Sequence, residues 1–256
     1  MKIALIGKGA IAQYVHDAAL GRGHDICAFL VKDEAVHRQT NYIATPADLP
    51  SDTDFVIDCA GHHALAQYGV DVLARGIDMI SLSIGALADQ KLRARLEQTA
   101  RSAGVQLHLA SGAVGGLDCL KSASVGKLKS VTYLARKPPA GWKGSPAEAK
   151  LVLDSLSIAT THFEGTARQA AISYPHNANV AAAVALAGVG FDDTKVRLIA
   201  DPTITENIHE IRAEGDFGRL EFQICGKALP DNPRSSALAA MSVLSKLEQI
   251  AAPIAI

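Results

Sequence analysis

The chain has 256 residues, of which 48% are hydrophobic and 20% are charged, and its formal net charge is −1. This composition is typical of a globular protein with enough material for one large domain or two small ones. Basic residues are scattered, which argues against nucleic-acid binding, and no apolar run approaches the roughly 20 residues that span a bilayer.

The N-terminal run and the cysteines indicate where the protein works. Ile3–Ile6 is shorter than the about 7–15 apolar residues of a secretory signal, so we predict a buried first strand. Free thiols in a reducing cytosol are the simplest account of the cysteines, and we expect a cytoplasmic protein without a metal site. The cysteines are far apart and form no C-x-x-C pair: Cys27, Cys59, Cys119 and Cys225.

A glycine-rich turn follows the first predicted strand, Lys2–Ile6. The run Gly7–Ala12 (GKGAIA) matches the G-x-G-x-x-A pattern of dinucleotide-binding domains, and a helix and the predicted strand Asp25–Val31 follow it. The first glycine permits the tight turn, the second lets a pyrophosphate approach the backbone, and the free N–H groups of the helix start bind its phosphates. We therefore expect cofactor contacts from Gly7, Gly9, Ala10, Ile11 and Ala12.

Strands and helices continue to alternate after this turn, which predicts βαβ units and a parallel sheet. A strand that ends in small residues lets a nucleotide lie close, so Ala60 and Gly61 are added to the expected cofactor contacts. His62 and His63, which follow them, are expected to be structural or exposed. The predicted strands are Asp54–Cys59, Asp78–Ile84 and Gln106–Leu109, and the predicted helices are His62–Arg75 and Ala86–Ala103.

Charged residues after the second strand leave the cofactor type open. An acid there would bind the adenosine ribose of NAD, whereas a base would accept the 2′-phosphate of NADP. Asp33 and Glu34 favour NAD, Lys32 and Arg38 favour NADP, and either set can instead belong to a solvated turn. We expect NAD or NADP, with a preference for NAD.

The pattern changes after Ala113, where strands of alternating polar and apolar residues predict an antiparallel sheet with one open face. The segment Ala140–Pro146, which carries Trp142, is predicted to be a loop. The predicted strands are Ser130–Lys137, Phe163–Gly165, Lys195–Ala200, Asn207–Ala213 and Arg219–Cys225. The predicted helices are Asp118–Val125, Thr166–Ser173, Asn179–Leu186 and Ser235–Ile250.

These elements predict an α/β protein with two domains. Residues 1–112 form a Rossmann-type domain with a parallel sheet. Residues 113–232 form a smaller α+β domain with a mainly antiparallel sheet, which we expect to carry substrate binding, catalysis and dimerisation. The C-terminal helix, within 233–256, is expected to pack back on the first domain.

Eight sequence runs resemble the L-aspartate dehydrogenase family along nearly the whole chain. The first is common to dinucleotide binders, whereas the last six are far more specific in their combination and order. The runs are IGKGAIA (Ile6–Ala12), DCAGHHAL (Asp58–Leu65), SLSIGAL (Ser81–Leu87), SGAVGGLDCL (Ser111–Leu120), ARKPP (Ala135–Pro139), YPHNANVAA (Tyr174–Ala182), KVRLIADP (Lys195–Pro202) and NPRSSAL (Asn232–Leu238).

The resemblance implies oxidation of L-aspartate to iminoaspartate with reduction of NAD or NADP. The imine would hydrolyse to oxaloacetate and ammonia, or pass to pyridine-nucleotide biosynthesis. The family's active-site histidine falls on His209, and its further cofactor contacts fall on Ala113 and Asn179. His176 departs from the family, because many relatives have lysine there. The family also implies a homodimer formed through the sheet of the second domain.

The residues themselves fit this chemistry. A neutral imidazole with a pKa near 6.5–7 suits removal of the amine proton or activation of water, so we assign His209 as the acid/base. Asn177 and Asn179 precede a helix, where one can be a cap and the other can present its amide to the nicotinamide. The substrate has two carboxylates, for which Arg136 or Lys137 is a candidate cation, and since they alternate along a strand at most one should face the site.

Two other functions remain open at this stage. One is a two-domain reductase of the dihydrodipicolinate reductase or homoserine dehydrogenase kind, although the basic motifs of those sites are not found here. The other is a non-catalytic NAD(P)-sensing protein, which would keep Gly7, Gly9 and Ala12 but has no need of the asparagines and His209 together.

Overall fold

The computed structural model describes residues 1–32, 40–175, 177–229 and 232–254, with no description of the side chains of 232–234. The chain divides into two compact units. The first contains Met1–Ala110 and Ala239–Ile256, and the second contains Ser111–Leu238. No helix in the described part of the chain combines the length and apolar character that crossing a membrane requires.

A parallel sheet of six strands forms the first unit, in the order β3-β2-β1-β4-β5-β6. Its central strand β1 is buried along Ile3–Ile6, as expected for a strand with helices on both faces. The elements in chain order are β1 (Lys2–Ile6), α1 (Ala10–Leu20), β2 (Asp25–Leu30), β3 (Tyr42–Ile43), β4 (Phe55–Asp58), α2 (His62–Ala74), β5 (Asp78–Ser81), α3 (Gln90–Ala103) and β6 (Leu107–Leu109).

The strand order reverses between β1 and β4, which are neighbours in the sheet. Ile6 pairs with Asp58, so both strands end at the same edge. In open parallel sheets, ligands bind at the carboxyl edge at such a switch point. The chain segments that begin at Gly7 and Cys59 lie at this edge.

The second unit contains a sheet of five strands in the order β11-β10-β7-β9-β8, in which only the β7–β9 pair is parallel. The prediction of a parallel-sheet domain followed by a domain with a mainly antiparallel sheet is therefore confirmed. Its elements are α4 (Leu117–Ala123), β7 (Leu128–Lys137), β8 (Thr160–Thr166), α5 (Ala167–Ser173), α6 (Asn179–Ala187), β9 (Lys195–Ala200), β10 (Asn207–Gly215), β11 (Gly218–Gly226), β12 (Ala228–Leu229) and β13 (Asn232–Ser236).

One face of this sheet is covered by helices. Along β7 the buried residues alternate with half-buried ones, and the buried set is Val131, Tyr133, Ala135 and Lys137. Helix α6 is buried at every position from Val180 to Ala185. Its small alanine side chains let it lie close to β7, which explains why a helix with almost no polar face is stable here.

A last helix, α7 (Ala237–Ala251), returns to the first unit. Val243, Leu244 and Leu247 are buried in the same apolar cluster as residues of β1, β2 and β4. The cluster thus joins residues from both ends of the chain.

Several element boundaries differ from the sequence prediction. The strand predicted to reach Ile84 ends at Ser81, and a 3-10 helix, Ile84–Ala88, replaces both its end and the predicted start of the next helix. Helix α3 begins only at Gln90, because Asp89 caps it by accepting hydrogen bonds from the backbone N–H groups of Lys91 and Leu92.

The final helix was also predicted to begin too early, at Ser235. Residues Asn232–Ser236 instead pair with β12 as an antiparallel strand, so Pro233 lies in a strand. The segment predicted as a loop around Trp142 forms two 3-10 helices, Pro139–Trp142 and Pro146–Ala149.

Candidate active site

The turn after β1 is built by a glycine that no other residue can replace without strain. Gly7 has a φ of 94°, in the region that favours glycine. A Cβ atom added there would lie 2.9 Å from Cβ of Ala60. The structure thus brings together two residues that the sequence placed at separate positions, Gly7 after β1 and Ala60 after β4.

Helix α1 offers its start to a ligand. Gly9 is the N-cap residue, with no side-chain cap and no acidic residue in the first turn. A Cβ atom added to Gly9 would meet no protein atom within 4 Å. The first backbone N–H groups of a helix have no partner within it and attract anions. This turn, which includes Ala10 and Ile11 and the buried Ala12, fits the pyrophosphate of a dinucleotide.

A buried carboxyl group fixes the neighbouring turn. Asp58 accepts hydrogen bonds from the Ala60 backbone N–H (3.0 Å) and the Ser81 hydroxyl (2.7 Å). Burial raises the pKa of Asp58, and these hydrogen bonds oppose that shift. Gly61, with a φ of 95°, then begins α2, where His62 is half-buried and His63 is exposed. Asp58 therefore holds Ala60 against Gly7, a role that the sequence did not indicate.

The NAD or NADP preference stays a prediction. Lys32 is exposed. Asp33, Glu34 and Arg38 lie outside the described residues.

In the second unit, His209 lies on β10 and is 3% exposed. Its Nδ1 is 2.7 Å from the hydroxyl oxygen of Tyr133, and the two rings are nearly parallel. This contact follows from register, because Ala135 pairs with His209 and Tyr133 lies two residues before it on the same face of β7. Burial also raises the pKa of Tyr133, so the phenol remains protonated.

The imidazole of His209 is less basic than the sequence led us to expect. Burial, and then the positive charge of Lys137, lower its pKa to about 3. Without a bound ligand the ring is therefore neutral throughout the neutral pH range. Its other nitrogen, Nε2, makes no hydrogen bond to any of the described residues.

Lys137 ends β7 on the same buried face as Tyr133. Its ammonium lies over the ring of Trp142, 5.2 Å from the ring centroid, and burial lowers its pKa to about 8. Arg136 is on the other face, where it donates to Asp201 at 3.3 Å. Arg136 and Lys137 thus lie on opposite faces of the sheet, as their alternation along the strand predicts, and Lys137 shares the face of His209.

A cluster of aromatic rings packs next to Lys137. The indole N–H of Trp142 donates to the carbonyl oxygen of Ile199 at 2.9 Å. The rings of Trp142 and His162 pack edge to face, 4.4 Å between centroids, and Nδ1 of His162 is 3.0 Å from the hydroxyl oxygen of Tyr174. These contacts join the chain after β7 to the residue that opens the YPHNAN run.

The asparagines of that run do not cap α6. The helix begins at Asn179, and its N-cap residue is Ala178, without a side-chain cap. The prediction of an asparagine cap is therefore wrong, whereas the roles of Asn179 and Ala113 in cofactor binding stay predictions. Both belong to the second unit, in which Asn179 is half-buried and Ala113 is buried. His176 lies outside the described residues.

No group of three or more histidine, cysteine or acidic side chains is placed to hold a metal ion anywhere in the described ranges. The four cysteines are free thiols.

Two family models match the two halves of the chain, and L-aspartate dehydrogenases match it over nearly its full length. Residues 118–250 match the family described as aspartate dehydrogenase, C-terminal, and residues 6–110 match the NAD-binding domain of homoserine dehydrogenase. The L-aspartate dehydrogenase of Ruegeria pomeroyi is 50% identical, over 99% of this chain and 94% of the relative. That of Ralstonia nicotianae is 44% identical, over 96% of both chains.

A solved structure of the same family also matches the fold of this chain. The crystal structure of aspartate dehydrogenase from Thermotoga maritima matches with a TM-score of 0.80 at 28% identity, over 100% of this chain and 99% of that one. An archaeal homoserine dehydrogenase in complex with NADPH shares the fold, with a TM-score of 0.61 at 9% identity.

Proposed function

The chain belongs to the L-aspartate dehydrogenase family of NAD(P)-dependent oxidoreductases, and we propose that it oxidises L-aspartate to iminoaspartate, which hydrolyses to oxaloacetate and ammonia. The observation that carries this proposal is the buried face of the second sheet, where Tyr133, His209 and Lys137 lie together. Removal of the amine proton requires an acid/base group, and a substrate with two carboxylates requires a cation to bind it.

The first unit holds the cofactor in this proposal. NAD(P), when bound, accepts the hydride from the α-carbon of the substrate. The N–H groups of Ala10, Ile11 and Ala12 would hold its phosphates, while Ala60 and Gly61, which follow β4, would border it. Ala113 and Asn179 are proposed as further cofactor contacts.

In this proposal His209 is the general base that accepts the proton of the substrate amine. When Nδ1–H donates to the Tyr133 oxygen, Nε2 keeps a lone pair that takes a proton from the amine or from water that attacks the imine. The pKa of about 3 makes the unliganded imidazole a weak base. Negative charge nearby favours the imidazolium, so we expect the substrate carboxylates to raise this pKa when they bind.

The activity test is the absorbance of reduced nicotinamide with L-aspartate and NAD, then with NADP. The reverse reaction is run with oxaloacetate and ammonia. Glutamate, alanine and homoserine are the comparison substrates. A signal only with homoserine would favour the second reductase reading, and cofactor binding without turnover in either direction would favour the sensing protein.

The role of His209 is tested by His209→Ala. We expect kcat to fall by about 100-fold or more, because general acid–base catalysis contributes about 10²–10⁴-fold, with an unchanged dissociation constant for the cofactor. The matched control is His24→Ala. His24 directly precedes β2, at the end of the strand away from the carboxyl edge of the sheet, so this variant should keep the wild-type rate. An unchanged kcat in His209→Ala would remove the assigned role.

We also propose that the protein acts as a cytoplasmic homodimer that can supply iminoaspartate to pyridine-nucleotide biosynthesis. The open face of the second sheet supports the dimer. Leu134 lies on this face, and an arginine–glutamate ion pair lies on each side of it. The pairs are Arg197 with Glu164 and Arg212 with Glu221. Such a face can be complementary to itself. Light scattering should give twice the chain mass, and Leu134→Asp should give a monomer, whereas Val125→Asp, at an exposed turn, should not.

A further inference from the structure

Lys137 is a buried cation whose charge the catalytic role of His209 does not explain. It is 8% exposed and shares a sheet face with His209, close enough for its charge to act on the imidazole. Lysine is among the residues least often found buried unless it is paired with an acid. A second positive charge beside a group that must accept a proton also opposes that step.

The lysine has no acidic partner among the side chains that the structure describes. Asp201, which directly follows β9, accepts hydrogen bonds from Arg136 and from the Thr203 hydroxyl instead. The contact recorded for the Lys137 ammonium is the face of Trp142. A cation–π contact attracts a cation without neutralising it, so the ammonium keeps its affinity for an anion.

A cavity lies close to the stem of Lys137, next to Gly141. A Cβ atom added at Gly141 would lie 3.3 Å from Cβ of Lys137 and 3.7 Å from Oδ1 of Asn207. Gly141 therefore lets the chain pack on the lysine stem. Gly141, Thr205 and Asn207 line this cavity of about 250 Å³, together with four residues that are glycine, alanine or proline. Asn207 lies two residues before His209 on β10, so it belongs to the same face.

We propose that the Lys137 ammonium binds a carboxylate of the amino-dicarboxylate substrate beside His209. This assignment rests on the proposed function. The ion pair would fix the substrate next to the imidazole and would cancel the positive charge that opposes its protonation. Substrate binding would thereby prepare His209 to act as a base.

The test compares Lys137→Met with Lys129→Met, the same substitution at an exposed position on the same strand. We expect the KM for L-aspartate to rise about 100-fold in Lys137→Met, as loss of a charge-assisted hydrogen bond predicts. The cofactor dissociation constant should not change. Lys129→Met should match the wild type in both.

Calorimetric titration with succinate, a dicarboxylate without an amine, measures binding without turnover. The dissociation constant of succinate should rise by a factor similar to that of the KM, both in Lys137→Met and in a second variant, Lys137→Gln. Thermal unfolding verifies that both variants are folded. An unchanged KM in both variants would overturn the proposal. A raised KM with unchanged succinate affinity would overturn it as well, because the lysine would then act through His209.

The same experiment separates this inference from the proposed function. If the wild type oxidises L-aspartate and the Lys137 variants do so with the same KM, only the inference fails. If the wild type binds succinate through Lys137 but oxidises no L-aspartate, only the proposed function fails.

Discussion

The hydrogen bond between Tyr133 and His209 decides which imidazole nitrogen can react. The phenol is 2.7 Å from Nδ1, and because burial raises its pKa it stays protonated. A protonated phenol can donate to Nδ1 or accept from it, so it fits both the neutral imidazole and the imidazolium. This contact holds the ring in one orientation, and in the role proposed for His209 it leaves Nε2 to meet the substrate.

Replacement of this phenol should affect the rate more than binding. In Tyr133→Phe we expect kcat to fall about tenfold or more, because the ring of His209 loses the partner that orients it and selects its tautomer. The cofactor dissociation constant should stay the same. Steady-state kinetics with Tyr68→Phe, a change on α2, as the control measure the effect. A wild-type kcat in Tyr133→Phe would show that the hydrogen bond has only a structural role.

The sequence could point to His209 but not to its partner. Tyr133 lies in SVTYLARK, where alternation makes it one more core position, and its partner is 76 residues away. The sequence could predict that Lys137 and Arg136 face opposite sides of the sheet, because residues alternate along a strand. It could not predict which of the two sides is covered by helices. That depends on α6 packing against β7, which is a tertiary contact.

Among the elements, the turn from β1 into α1 depends on a neighbour from β4. Gly7 needs its positive φ for the turn and its missing side chain for Ala60. Gly9 has an ordinary φ of −77° and open space beside it. Gly7 therefore serves the fold of the turn, whereas we expect Gly9 to serve the approach of the cofactor.

Alanine substitutions should separate these purposes. Gly7→Ala should lower both stability and cofactor affinity, since a positive φ costs alanine about 1–2 kcal/mol and its Cβ would clash with Ala60. Gly9→Ala should keep the stability and weaken cofactor binding about tenfold or more. Gly76→Ala, with a φ of 75° and open space, should lower stability alone. Denaturant unfolding and cofactor titration of the three variants measure this, and unchanged affinity in Gly9→Ala would contradict it.

The sequence predicted the elements well where one periodicity was clear. The strand Lys195–Ala200 has the predicted bounds, and β10 and β11 are the predicted antiparallel pair. It failed at Ile84–Ala88, because a short apolar run that is buried on every side has no periodicity to separate strand from helix. It also failed at Asn232–Ser236, where pairing with β12 delays the start of α7.

For the whole molecule, α7 joins the last part of the chain to the first unit. Val243, Leu244 and Leu247 pack in one cluster with Ile3, Leu5 and other residues of the parallel sheet. The dinucleotide-binding unit is therefore completed only by residues that follow the second unit in sequence.

Truncation of one α7 side chain should destabilise the first unit. Leu247 is fully buried, and Leu247→Ala should cost about 2–5 kcal/mol, as is usual for a large core side chain. On the same helix Met241 is 47% exposed, and Met241→Ala should change stability by about 0.5 kcal/mol or less. Denaturant unfolding compares the two, and similar midpoints would show that α7 is not part of the core.

The packing of Trp142 against Lys137 should make the intrinsic fluorescence of the protein sensitive to ligand binding. It is the only tryptophan in the chain, it is fully buried, and its ring lies under the Lys137 ammonium. Indole emission responds to charge at the ring face, so we expect the fluorescence of this single residue to change when a dicarboxylate pairs with the lysine. Stopped-flow fluorimetry could then follow substrate association in the unlabelled protein, separately from the absorbance of the nicotinamide.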